Sequence, residues 1–497
     1  MFFLRSYIFQ FFLRCSLVFA LTCLSDTARA SFLMTNHLRN AHAQLLELRL
    51  AEARQSVAAE RLKNPDNALC DYFDNYADMA ILLINENEDL YDQLSDNEDL
   101  RLDRLAEQDK NSPYYQFVRA EIKMQWAFVR LKFGHEISAA WSLRQAYKLL
   151  AANAEKHPTF IPQLKSLGMM QMLIGSVPEK YMWILNAAGL SANLHTGLSN
   201  LQKATQQPNE FGKEAQLLLA LAQVYMLKQP QQATQLLGTL HQKDADNPLV
   251  CFLYGNVLMK ENRSEIALQV LLKYPKGSQY AKLFMVSYLI GEIYLQKAEY
   301  ARALVYFNYF LENHTGKNYK KDARYKMFLC YWLNNDSTQA QLHFAKIKNE
   351  GRALLEADQY AQRVANSQTF PNAAIMRVRL FTDGGYFAQA SEALQSIKIQ
   401  MLTGKDQTEY FYRAARLYHL TKQTELAIAQ YKKTIEMGKT LPHYFAANSA
   451  LQLGYLYKAQ LQAKEACFYF KMALSFREHE YKNSIDNKAK AALVDCE

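Results

Sequence analysis

Apolar positions recur at three- and four-residue intervals through most of the chain, and strict alternation is rare. Apolar residues at i, i+4 and i+7 form one stripe on a helix of about 3.6 residues per turn, so the pattern predicts helices rather than strands. The clearest stretch is Tyr288–His314, YLIGEIYLQKAEYARALVYFNYFLENH. Gly291 and Tyr294 share one face of a first helix, a break at Lys297–Glu299 follows, and Ala303, Phe307 and Phe310 stripe a second. Near the C-terminus, LGYLYKAQLQAKEACFYFKMAL reproduces the scheme with Gly454, Tyr457, Ala466, Phe470 and Ala473. Small residues at these positions let two antiparallel helices approach closely, and the large ones fill the space beside them.

With these two units as a ruler, others align. The second-helix alanines fall at Ala233, Ala267, Ala303, Ala340, Ala390, Ala427 and Ala466, separated by 34, 36, 37, 50, 37 and 39 residues. A repeat of this period predicts stacked supersecondary units, each of which buries its apolar face only against its neighbours. The interval of 50 holds an insertion, Asn349–Gln368, that reads as an extra helix or a long loop.

These units resemble tetratricopeptide repeats, which carry Gly and Tyr in a first helix, Ala and Phe in a second, and Pro at the exit. The resemblance covers residues 213–475 and implies an all-α fold, an α-solenoid of antiparallel helix pairs wound into a right-handed superhelix. Exit prolines are mostly missing, Pro248 being the best, and the early tryptophan is absent. Upstream, residues 31–212 read as a degenerate helical-repeat region. Within it, Arg49–Asn67 suits a second helix with its exit proline, and Phe117–His157 suits one hairpin. Residues 476–497 read as a tail or capping helix. The stretch Leu164–Leu201, broken at Gly168, Gly175 and Pro178, resembles a segment of the eukaryotic inclusion-body clearance family of repeat proteins. It also suits a tight junction in which Gly168 and Gly175 allow close helix contact.

Composition narrows the classes. With 497 residues, 50% of them hydrophobic, the chain can offset its ordering entropy, which argues against disorder. Its 17 glycines and 11 prolines are too few for an all-β fold, which needs a turn every 8–12 residues or so. The formal net charge of +9 is unevenly divided, since residues 31–110 carry 8 Lys and Arg against 17 Asp and Glu. The acidity concentrates in residues 71–109, and the remainder is basic. Pairing within the chain, a separate partner surface and plain solvation of helical faces would each account for it. Calcium is excluded at Asn85, Asn87 and Asp89, because Leu90 stands where the loop needs glycine. Nucleic acid is not expected, since the lysines are scattered rather than striped.

Residues 1–30 read as a signal peptide, with Arg5 and Arg14 before an apolar run and Ala28-Arg29-Ala30 as the cleavage pattern. The expected location is extracytoplasmic, periplasmic or equivalent in the cell envelope, with a retained N-terminal membrane anchor as the variant reading. Cleavage leaves Cys70, Cys251, Cys330, Cys467 and Cys496, which are far apart, lack metal spacing and read as small buried helix residues, Cys496 excepted as a free thiol.

No Walker loop, GxSxG elbow, GxGxxG or HExxH occurs, His135-Glu136 being followed by Ile-Ser-Ala. An enzyme is therefore not expected, nor a cofactor or metal. In tetratricopeptide repeats the position fifteen residues before the second-helix alanine generally faces the concave groove. Here that offset holds Phe252, Tyr288, Tyr325 and Tyr412, with Asn256, Glu292, Leu329 and Arg416 four residues onward. The lysine–asparagine clamp that grips a C-terminal carboxylate looks absent. The residues predict an aromatic-lined groove for a protein or peptide partner, Tyr288 and Tyr325 being its test positions, unless the rings fill gaps between neighbouring repeats. The expected function is an exported, noncatalytic scaffold that binds protein, in a complex that could be membrane-associated. The alternative is an exported glycan- or solute-binding protein on a helical-repeat frame, the frame that starch-utilisation outer-membrane binding proteins have.

Overall fold

A computed structural model describes residues 32–176, 190 and 192–493. Residues 1–30, read above as a signal peptide, the Pro178 break and Cys496 lie outside the described residues. Every regular element among the described residues is helical. The chain divides into two compact units, the first comprising the described residues through Leu83 together with Asp89–Leu167, the second Ile84–Glu88 together with the described residues from Gly168 on.

The first unit contains α1 (Asn36–Leu46), α2 (Leu50–Lys63), α3 (Leu69–Asn85), α4 (Glu88–Leu94), α5 (Asn97–Ala106), α6 (Pro113–Phe133) and α7 (Glu136–Lys156). Two hairpins dominate, α1 on α2 and α6 on α7. Between them lies the acidic segment, and its buried carboxylates are paired rather than merely solvated. Asp71 lies 2.6 Å from Arg104, and Asp78 is 2.6 Å from both Arg54 and Arg101. Glu98 takes Arg130. Asn75 closes the network: its Oδ1 accepts from Arg101 and from the indole of Trp126, both at 2.9 Å, and its Nδ2 donates to Gln125 at 2.7 Å. Buried polar groups hold only where each finds a partner, and here an arginine set on flanking helices supplies them.

The boundary between the units falls within α8 (Leu164–Gly175), whose residues from Gly168 on belong to the second unit with α9 (Leu194–Gln206). They meet at glycines: a Cβ on Gly168 would stand 2.7 Å from the Gly197 carbonyl, and one on Gly175 2.7 Å from the Leu194 nitrogen. Seven hairpins follow. They are α10 (Gly212–Tyr225) with α11 (Pro230–Lys243), α12 (Pro248–Lys260) with α13 (Ser264–Leu272), α14 (Met285–Gln296) with α15 (Tyr300–Asn313), and α16 (Lys320–Leu333) with α17 (Ser337–Lys346). The insertion then contributes α18 (Glu356–Ser367). The last three pairs are α19 (Ala373–Gly384) with α20 (Phe387–Gln395), α21 (Gly404–Leu420) with α22 (Thr424–Gly438), and α23 (Phe445–Ala459) with α24 (Ala463–Ser475), after which α25 (Lys482–Leu493) covers the end.

The seven alanines that set the ruler are all buried. Across from them the first-helix glycines receive the large residues: a Cβ on Gly291 would lie 2.9 Å from the Phe307 ring, and one on Gly454 2.4 Å from that of Phe470. A second periodicity was hidden from the sequence. Each hairpin turn places one residue in the left-handed region, five positions before the alanine: Lys228, Asn262, Ala298, Asn335, Gly385, Lys422 and Leu461. The N–H of the next residue then reaches back to the first helix, as Arg263 does to the Leu258 carbonyl (3.0 Å) and Glu299 to that of Tyr294 (2.9 Å). This is the Schellman closure of a helix C-terminus. Leu48 before Ala53 and Gly134 before Ala139 follow the same rule in the first unit. The fold is thus all-α, built of stacked antiparallel helix pairs.

The array is wound tightly enough for non-adjacent repeats to touch. The Asn262 side chain donates to the Asp383 carbonyl at 2.9 Å and so braces one repeat against another. Gly385 sits at φ +80°, and a Cβ there would fall 1.7 Å from the Asn262 carbonyl oxygen. Only glycine meets both demands.

Candidate binding surfaces

The rings expected to line an open groove are placed otherwise. Tyr288, Tyr325 and Tyr412 are only 3%, 4% and 3% exposed; Tyr288 and Tyr412 bond to the next first helix, and Tyr325 packs on the inserted α18. Tyr288 donates its hydroxyl to Asp322 on the next first helix and receives Lys326 from it. Lys326 also lies 2.7 Å from Asp322 and 3.0 Å from Glu292, with its ammonium 4.4 Å from the centre of the Tyr288 ring. Desolvation works against the Lys326 charge, but Asp322 and Glu292 outweigh it and hold its pKa above the usual lysine value. Burial, reinforced by Asp322, pushes the Tyr288 phenol far above its ordinary range and keeps it neutral.

The remaining positions repeat the theme. Tyr412 accepts from Asn448 at 2.5 Å and lies beneath the Arg413 guanidinium, 5.2 Å away. Arg416 approaches Asp383 at 3.9 Å. Asn256 accepts from Tyr225 at 3.5 Å, and Phe252 packs half-buried against the core. Of the residues expected in the groove, Glu292 and Tyr325 border one cavity, and Tyr288, Phe252, Asn256, Tyr412 and Arg416 do not line it. The aromatic ladder is therefore inter-repeat packing, and changing Tyr288 or Tyr325 to alanine would remove core volume rather than report on a partner.

Sequence reasoning missed the part played by the insertion. Asp358 on α18 is fully buried and accepts the N–H groups of Tyr319 (2.7 Å) and Asp322 (3.1 Å). It thus caps the N-terminus of α16, where backbone donors have no partner within the helix. Burial raises its carboxyl to about 6 in spite of those bonds. Beside it, Tyr360 lies against Tyr325 at a ring separation of 5.6 Å and accepts from Arg379 at 3.0 Å. These groups and Glu292 border a cavity of about 290 Å³.

A larger groove, about 740 Å³, opens where the second hairpin gives way to the third. Its cause is local: α13 stops at Leu272 because Pro275 cannot continue a helix and disfavours helical backbone at Tyr274. The linker KYPKGSQYAKLF then runs beside α15 instead of a full second helix covering it. Leu271, Phe284, Val286, Ile290 and Tyr306 line the groove. Val305 (66% exposed) and Tyr309 (48%) stand at its edge. The Tyr274 hydroxyl reaches it without a hydrogen-bond partner, and burial pushes that phenol well up. Lys276 and Lys282 form the rim, and Ile266–Gly291 contains no acidic residue. The sequence signal was the Pro-Lys-Gly break after an unusually short second helix.

Among the described residues no group of His, Cys, Asp and Glu could hold a metal ion, and no helix is long and apolar enough to cross a membrane. Cys70, Cys251 and Cys330 are buried free thiols, their pKa raised by burial, whereas Cys467 is disulfide-bonded.

No family model and no curated protein matches the chain. Solved structures similar to it include Naa15/Naa10 bound to HypK-THB, at 13% identity over 93% of this chain and 66% of that one, with a TM-score of 0.26. This chain therefore spans just under two thirds of that protein. Yeast Tom70 is similar at 11% identity over 92% of this chain and 88% of that one (TM-score 0.24), and the TPR domain of P58(IPK) at 13% over 83% and 98% (TM-score 0.21). At these identities and scores the likeness carries no argument about what this chain binds.

Proposed function

We propose that the chain is an exported, noncatalytic helical-repeat scaffold that holds a protein partner in the groove between its second and third hairpins. The carrying observation is that groove: an apolar floor, exposed Val305 and Tyr309 at its edge, and an unpartnered Tyr274 hydroxyl. An amphipathic segment would bury its apolar side there and give the phenol a hydrogen-bond partner, which is the helix-in-groove mode of recognition. Lys276 and Lys282 on the rim favour acidic residues on the partner. Export is supported by the leader-like residues 1–30 and by the disulfide at Cys467, since such bonds persist in oxidising compartments.

Substituting Val305→Asp together with Tyr309→Asp is expected to remove the partner from a crosslinking pulldown made in native cells, while circular dichroism remains that of the parent. Both side chains are exposed, so the fold has little to lose. Undiminished recovery of the same partner would reject the groove. A thiol count tests the compartment. Denatured without reductant, the secreted chain should be labelled by maleimide at Cys70, Cys251 and Cys330 but at Cys467 only after reduction; labelling of Cys467 beforehand would count against an oxidising location.

A further inference from the structure

We propose that the 290 Å³ cavity between α14, α16, α18 and α19 is a binding site for one organic cation, a primary ammonium or a guanidinium. It is separate from the groove just described and stands whether or not a partner occupies that groove. Its volume lies at the lower end for ligand pockets and suits one side chain or a small molecule.

The chemistry follows from what the walls leave over. Lys326 is already saturated by Asp322, Glu292 and the Tyr288 hydroxyl. Arg379 is engaged by the Tyr360 hydroxyl at 3.0 Å and by Asp383 at 3.6 Å, and Arg416 reaches the same carboxylate at 3.9 Å. The resident cations are thus neutralised by resident groups. Two lining groups are not. Tyr325, more than nine-tenths buried, borders the cavity, and its hydroxyl, next to that of Tyr360, forms no well-aligned hydrogen bond with a described group. Glu356 at the mouth has no ion-pair partner among the described residues. A buried unsatisfied hydroxyl is costly, so a ligand that satisfies it gains more than a surface contact would. An ammonium or guanidinium has several N–H donors, enough for the phenol oxygen and the free carboxylate together. Tyr481, whose ring already carries Arg363 at 5.4 Å, adds a further aromatic lining residue. An anion would face Glu292, Asp322, Glu356 and Asp383, and a neutral alkyl group would leave the Tyr325 hydroxyl as it is.

The test is calorimetric titration of the full chain with n-butylammonium, methylguanidinium, 1-butanol and butyrate. Binding of the two cations alone is expected, weakened roughly tenfold by Tyr325→Phe, which removes one oxygen, and similarly by Glu356→Gln, which removes a charge and not the shape. Thermal unfolding of Glu356→Gln should match the parent, and that of Tyr325→Phe should come no earlier. The Val305→Asp variant should bind the cations normally, which separates this site from the groove. Cations no tighter than butanol, or affinities that neither substitution changes, would overturn the proposal. N-acetyl-lysine amide binding more tightly than butylammonium identifies the ligand as a basic side chain of a bound protein; the reverse order identifies a free amine.

Discussion

Replacing Phe307 with alanine is expected to lower the stability of the second unit by about 3–5 kcal/mol, the range for a fully buried aromatic ring. The ring lies against Gly291 on one side and Tyr288, 6.0 Å away, on another. Neither neighbour can move into the space: Gly291 has no side chain, and Tyr288 is held by Asp322 and Lys326. The cavity therefore stays open, and its cost is near the top of the range. In a repeat array each unit rests on its neighbours, so the loss should spread to the hairpins of Ala267 and Ala340 before more distant ones. Chemical denaturation followed by hydrogen exchange checks both statements. A midpoint shift worth less than about 1 kcal/mol would mean that the array closes around the deletion.

Lys165→Met should be comparably damaging in the first unit, at about 3–5 kcal/mol. Lys165 is wholly buried and its ammonium is 2.8 Å from the equally buried Glu121, which also receives the Ser166 hydroxyl. Methionine fills the same volume but takes the ammonium away from a buried carboxylate. The double change Glu121→Leu with Lys165→Met should recover much of the loss, because most of the penalty is the burial of a carboxylate without its cation rather than the missing attraction. Equal stability of the single and double variants in urea unfolding would refute that division.

The fold was legible where packing is decided by size. Ala303 and Ala466 lie where two helices come closest, and Gly291 and Gly454 open room for Phe307 and Phe470, so residue identity reports geometry directly. The left-handed turns were not legible, because the turn supplies the conformation whatever residue stands there. Lys422 and Leu461 accept it at a cost of roughly 1–2 kcal/mol that the surrounding hairpin outweighs.

The candidate site was legible only in part. Fixed offsets from Ala303 and Ala340 found Tyr288 and Tyr325, but not that tight winding turns those rings onto adjacent helices. Nothing in the local pattern announces a contact such as Asn262 with Asp383, 121 residues on. The acidic segment posed the same difficulty, since Asp71 and Asp78 take arginines from helices on either side of them in the chain. The larger groove depends on something that is missing, namely the turns of helix that Pro275 prevents.

The most direct measurement is site-specific photocrosslinking in native cells, with benzoylphenylalanine placed singly at Val305, Tyr309 and, as a control, the highly exposed Leu461 at a hairpin turn. The scaffold reading predicts one crosslinked partner shared by positions 305 and 309 and missing at 461. The same products at all three positions, or none at 305 and 309, would contradict it.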